Sequence, residues 1–171
     1  MPVTMMVSAQ TADGGDAVIV TSGANETTAT ATGNNMTGAK FMFIQGAQSG
    51  SVSEINATTS ILELSDVSDK TILFSDRPDR IVMSVDTTDF IGNWSMGANN
   101  FAVDPPNAVL VIDDVEQRQD LAVIELYNPE YNSEASVLKY DIIAENATSI
   151  DLPGEFAQST LLIDPIDPWP P

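Results

Sequence analysis

The sequence predicts an all-β fold, a two-sheet sandwich of Ig-like or jelly-roll type with one short helix. Three observations carry this. Short runs rich in Val, Ile, Thr and aromatics alternate with polar residues along most of the chain. Gly, Asn, Asp and Pro break these runs at the spacing of sandwiches and barrels. Helical signals occur in one segment alone. At 171 residues, 43% of them hydrophobic, the chain is long and apolar enough for one domain with a buried core.

The elements follow in order. Val3–Ala9 and Ala17–Thr21 are the first candidate strands. Ser22–Thr37, SGANETTATATGNNMT, is small, polar and aperiodic, and reads as a tether. Phe41–Gln45 alternates aromatics and aliphatics tightly. Ser60–Leu64 and Thr71–Phe74 are parted by a turn at Asp66–Lys70, and then come Arg80–Val85, Ala108–Asp113, Leu121–Tyr127, Val137–Ala144 and Ser159–Ile163. In Thr87–Trp94, Thr88 is the expected N-cap and Asp89 the first-turn acid. Phe90 and Trp94 lie four apart and are expected to plug one end of the sandwich. The proline-rich Asp164–Pro171 is expected to be neither helix nor central strand, with Trp169 seeking a partner surface. This divides the chain into an N-terminal strand and tether (1–37), a β-domain (38–166) and a Pro-rich tail (167–171).

Five Asn-x-Ser/Thr sequons begin at Asn25, Asn35, Asn56, Asn93 and Asn146. Chance supplies about two in a chain of this composition, so the excess points to an N-glycosylated protein outside the cytoplasm. Net charge is −19, from 6 basic and 25 acidic residues, which argues against nucleic acid and anionic membrane surfaces as partners. Cysteine is absent, so disulfides and Cys-type zinc sites are excluded. A disulfide-free exported chain is expected of a prokaryotic cell surface. No apolar run approaches the length of a membrane-spanning helix. Met1–Gln10 lacks the basic flank of a signal peptide, and the expectation is that numbering starts at the mature chain.

Histidine is absent as well, which removes the commonest general base, and no G-x-S-x-G or S-x-x-K occurs. Carboxylate pairs abound, but none stands out as a hydrolytic pair. The expectation is a protein that is not an enzyme and needs no cofactor. Asp113, Asp114 and Glu116, with Asp164 and Asp167, are hard oxygen ligands of the kind that suit Ca²⁺, and equally solvated turn acids. Ser75-Asp76-Arg77-Pro78-Asp79-Arg80 either binds a carboxylate, sugar or cation through its guanidinium forks, or forms a β-turn. Asp104-Pro105-Pro106-Asn107 reads as a rigid loop leading into the next strand.

Thr71-Ile72-Leu73-Phe74-Ser75-Asp76-Arg77-Pro78-Asp79-Arg80-Ile81 carries a resemblance, continued by Asp104-Pro105-Pro106-Asn107-Ala108, Leu138-Lys139-Tyr140 and Leu162-Ile163-Asp164-Pro165. Over 62–166 the chain resembles a family of small exported prokaryotic β-rich proteins of unknown function. The resemblance implies a fold neighbourhood and no activity.

The segment Val3-Thr4-Met5-Met6-Val7 is apolar, β-compatible and at an open end. Paired at home it is an ordinary edge strand. Reaching a neighbour through Val3, Met5, Met6 and Val7, it would add a strand to that neighbour's sheet and build a homopolymer. The function expected is therefore an extracellular, non-catalytic, glycosylated structural subunit of a surface filament or matrix. The alternative is a monomeric exported module that binds a cation or glycan.

Overall fold

The computed structural model describes residues 18–21, 39–77, 80–113, 119–144 and 152–166. In chain order these form β1 (Val18–Thr21), β2 (Phe41–Ala47), β3 (Ser49–Glu54), β4 (Thr59–Ser65), β5 (Lys70–Ser75), β6 (Ile81–Asp86), α1 (Thr87–Gly92), β7 (Asn107–Asp113), β8 (Gln119–Asn132), β9 (Val137–Ala144), β10 (Glu155–Phe156) and β11 (Ser159–Ile166). The all-β class with one short helix is as the sequence predicts.

Hydrogen bonding joins all eleven strands into one ladder, β1-β6-β5-β2-β11-β7-β8-β9-β4-β3-β10, open at β1 and β10. Only β1–β6 is parallel; the other pairs are antiparallel. In place of two separately bonded sheets there is a single one, because β11 pairs with β2 on one side and β7 on the other. The sheet rolls over its own inner face. Tyr140 on β9 lies four strands from β2, about 19 Å away in a flat sheet, yet its hydroxyl sits 2.9 Å from Gln45 Oε1 on β2.

Period-2 burial builds the core. Phe41, Phe43, Gln45 and Ala47 of β2 point inward, as do Leu62 and Leu64 of β4, Leu138, Tyr140 and Ile142 of β9, and Leu161 and Ile163 of β11. Phe43, Phe90, Trp94, Phe101 and Tyr140 pack as one aromatic cluster with contacting ring centroids 4.8 to 6.3 Å apart. Phe90 and Trp94 are both buried in this cluster. The N-cap expected at Thr88 lies elsewhere. The helix starts at Thr87 and its N-cap is Asp86, with no side-chain capping bond. Thr87 is buried and its hydroxyl donates to the Ser68 carbonyl (2.9 Å), so tertiary bonding rather than a cap fixes the start.

Two Asx-Pro dipeptides mark where strands bend. The β8–β9 register shifts between Tyr127 and Glu130, across Asn128-Pro129, and Asn128 takes a φ of 46° while its Nδ2 donates to Asp141 Oδ2 at 2.8 Å. The β11–β2 register shifts between Ile163 and Ile166, across Asp164-Pro165. This corrects the expectation that Asp164–Pro165 cannot belong to a central strand. β11 is central, but its pairing with β7 ends at Ile163, so Pro165 removes no ladder bond on that side. Strands β3 and β10 go beyond what the sequence predicts. β3, SGSVSE, has one large apolar residue, and β10 lays Phe156 opposite Gly50.

Candidate self-association site

The amino-terminal edge is built from few contacts. β1 runs parallel to β6 with Val18 opposite Ile81, Ile19 opposite Val82, Val20 opposite Met83 and Thr21 opposite Ser84. It pairs with no other strand among the described residues. Nineteen residues, 22–40, then separate β1 from β2. In the sheet these two strands are three positions apart, about 14 Å, and they run parallel, so the connection is a crossover that returns to the opposite end of the sheet and needs about a dozen residues or more. β6, by contrast, is held firmly: five consecutive residues pair with β5, and Lys70 and Asp86 form an ion pair across that register. The Asp86 hydrogen bond raises the Lys70 pKa and keeps the ammonium charged. The opposite edge is shut differently, by the two residues of β10 on β3, with the Phe156 ring over Gly50.

The other predicted positions scatter over the surface. Val3, Met5, Met6 and Val7 lie outside the described residues, as do Asn25, Asn35, Asn146, Asp114, Glu116, Asp167 and Trp169. Asn56 occupies the exposed tip of the β3–β4 hairpin. Its Oδ1 accepts from Thr58 N (3.0 Å), Thr58 Oγ1 (3.1 Å) and Thr59 N (3.0 Å), which folds its sequon into an Asx-turn. Asn93 follows α1, half-buried, and its backbone N–H donates to the Asp89 carbonyl.

Of the Asp76–Arg80 segment, Pro78 and Asp79 lie outside the described residues; Arg80 N donates to Asp76 O at 3.0 Å, Arg80 takes a φ of 50°, and Asp76, Arg77 and Arg80 are exposed. Asp104 is exposed in the loop that delivers Asn107 to β7, and Asp113 is exposed at the other end of that strand. Among the described residues, no group of three or more His, Cys, Asp or Glu converges as a metal site.

Sequence reasoning missed one surface feature. The outward face of β5, β2, β11, β7 and β8 carries an unbroken row of apolar side chains in direct register. Ile72 faces Ile44, Ile44 faces Leu162, Leu162 faces Val109 and Val109 faces Val123. A signal for it exists in the chain. Phe41-Met42-Phe43-Ile44 and Val109-Leu110-Val111-Ile112 are apolar at every position rather than at every second one, the mark of a strand covered on both faces. No family model, curated protein or solved structure matches this chain.

Proposed function

We propose that this protein is a non-catalytic structural subunit that self-associates outside the cytoplasm by lending its amino-terminal strand to a neighbour's sheet. One observation carries the reading: β1 is a four-residue strand that, among the described residues, pairs with β6 alone and is followed by a nineteen-residue connection. A connection of nineteen residues is long enough for the strand to leave its own β6 and reach that of an adjacent copy. Once copies are adjacent, each β6 edge sees both strands at comparable effective concentration. Exchange in one direction then propagates head to tail, and a rotation that does not close yields a filament.

The location rests on the sequons, of which Asn56 stands on an exposed hairpin tip. A glycan-bearing, acidic exterior would keep such polymers apart. Electron microscopy and mass spectrometry of the native material test both halves. Ordered filaments, lost when residues 1–21 are deleted, with sugar mass on the sequon peptides, are the expected result. An unmodified monomer of 18.2 kDa would overturn the reading.

A further inference from the structure

We infer that the outer apolar row is a second interface, separate from strand addition, on which another copy of this chain packs face to face. The row runs Ile72–Ile44–Leu162–Val109–Val123. Met42, Phe74 and Val82 widen it at the β6 end, with Met42 opposite Phe74 and Phe74 opposite Val82. Val111 and Leu121, paired with each other, widen it at the β8 end on the other flank. The result is a diagonal stripe, as a twisted sheet requires when its partner lies at an angle. Ile72 is 42% exposed, Val123 45% and Leu121 66%, so the stripe is open to solvent.

Two arguments choose a second copy as the occupant. The first is charge. In a chain of net charge −19, the stripe itself carries none. Lys70 and Asp86, already paired, flank it on one side, and Glu125 and Asp164 lie on the other. Two such chains repel wherever else they meet, so a homotypic contact has to use the uncharged surface, and a two-fold brings the stripe onto itself. The second is size. Six strands at about 4.8 Å, with one or two residues of one face on each, make the stripe roughly 24 Å long and about 7 to 14 Å wide. That is the apolar centre of an interface of about 800 Å² per partner, with the polar rim supplying the rest. The strands beyond the stripe behave differently: β4 and β9 turn Glu63 and Lys139 outward as an ion pair of 2.6 Å, the pattern of a sheet face left to water.

Ionic strength separates this contact from one made by salt bridges. Screening shortens from about 10 Å at 0.1 M salt to about 3 Å at 1 M, which removes the repulsion and leaves the apolar attraction. Sedimentation velocity of the full chain, of Ile72→Glu, of Val123→Glu and of a deletion of residues 1–21 tests it. The wild type should associate reversibly at high salt and less at low salt. Each Glu variant should weaken this by about tenfold or more while keeping its melting temperature, and the deletion should still associate. Four outcomes would overturn the inference: a wild type monomeric at both salt concentrations, Glu variants that associate like wild type, association that appears only on deletion (placing the chain's own amino-terminal segment on the stripe), or capture by neutral lipid vesicles instead of self-association. A wild type monomeric at both salt concentrations would sink strand addition too, whereas Glu variants that associate like wild type would leave it standing, since its loss follows the deletion and not the Glu variants.

Discussion

The Tyr140 hydroxyl donates to Gln45 Oε1 at 2.9 Å across the inside of the rolled sheet, tying β9 to β2. The bond begins a one-way chain. Gln45 Nε2 donates to Thr71 Oγ1 (3.2 Å), and Thr71 and Thr87 hydroxyls meet at 3.1 Å. Since Thr87 spends its single proton on the Ser68 carbonyl, Thr71 is the donor in that pair. The side chains of Tyr140, Gln45, Thr71 and Thr87 are buried, so each bond polarises the next, and a broken link among them strands a group in a dry core.

Removing the middle of this chain therefore costs more than removing its end. Gln45→Leu orphans Tyr140 and takes a partner from Thr71, and should destabilise by about 2–4 kcal/mol. Tyr140→Phe leaves one acceptor of Gln45 unpaired and should cost about 1–2 kcal/mol. Urea denaturation of both singles and the double variant should give a coupling of at least about 0.5 kcal/mol. Additivity would mean the two residues do not act together.

Burial pushes the Tyr140 pKa far above its ordinary value of 10.0, against the weaker lowering effect of the Gln45 bond. The sign follows from linkage. Below pH 10.0 both folded and unfolded chains hold the proton, so the neutral phenol's stability is fully present. Above it the unfolded chain releases the proton and the folded chain does not, and stability falls by about 1.4 kcal/mol per pH unit for this group. Tyr127, bonded to Glu125, and partly buried Tyr131 shift in the same direction. Denaturation between about pH 9 and about 11.5 should show a slope that Tyr140→Phe makes shallower but does not abolish.

Gly50 has no room for a side chain. A Cβ there would lie 2.5 and 2.6 Å from the Phe156 ring and 2.9 Å from the Glu63 carbonyl oxygen. Gly50→Ala should expel Phe156, undo the β10 pairing and cost about 1–3 kcal/mol. Phe156→Ala alone loses the ring's packing; adding it to Gly50→Ala should recover part of the first loss, because only the backbone contact remains. Hydrogen exchange at Val52, whose N–H donates to the Gly154 carbonyl (3.0 Å), reports whether the segment has lifted.

How much of this was legible in the sequence depended on side-chain alternation. Val137-Leu138-Lys139-Tyr140-Asp141 declares its inner face residue by residue, and Phe41–Gln45 its strand, and both stand where expected. Ser49–Glu54 declares nothing, because it is an outer strand held by backbone pairing to β4. Asp164-Pro165 misled for a physical reason: proline forbids a ladder bond only where a partner needs one, and the pairing with β7 has already ended there. The single rolled ladder and the outer stripe depend on register between strands far apart in sequence, such as Ile44 with Leu162, which composition does not encode. For the candidate sites, the Asp76–Arg80 turn was readable from its turn residues, whereas the edge position of β1 emerged only from its pairing.

Asn100 tests whether the aromatic plug is held by its loop or by its rings. Its Oδ1 accepts from Ala102 N (3.1 Å) and Val103 N (3.0 Å), while Nδ2 donates to Gly97 O at 2.7 Å, where Gly97 takes a φ of 83°. These bonds bracket Phe101, whose ring lies 4.8 Å from Trp94. Asn100→Ala loses all three bonds and should cost about 2–4 kcal/mol. Asn100→Asp keeps the two acceptor bonds but sets a carboxylate oxygen against the Gly97 carbonyl, so it should be destabilised at neutral pH and partly restored when acid protonates it. The emission of Trp94 in the folded state, read in a Trp169→Phe background because the chain has two tryptophans, separates the two explanations. If the loop positions the plug, Asn100→Ala shifts that emission to the red as Phe101 withdraws and water reaches the indole. If the rings hold themselves, the protein melts earlier with its folded-state emission unchanged.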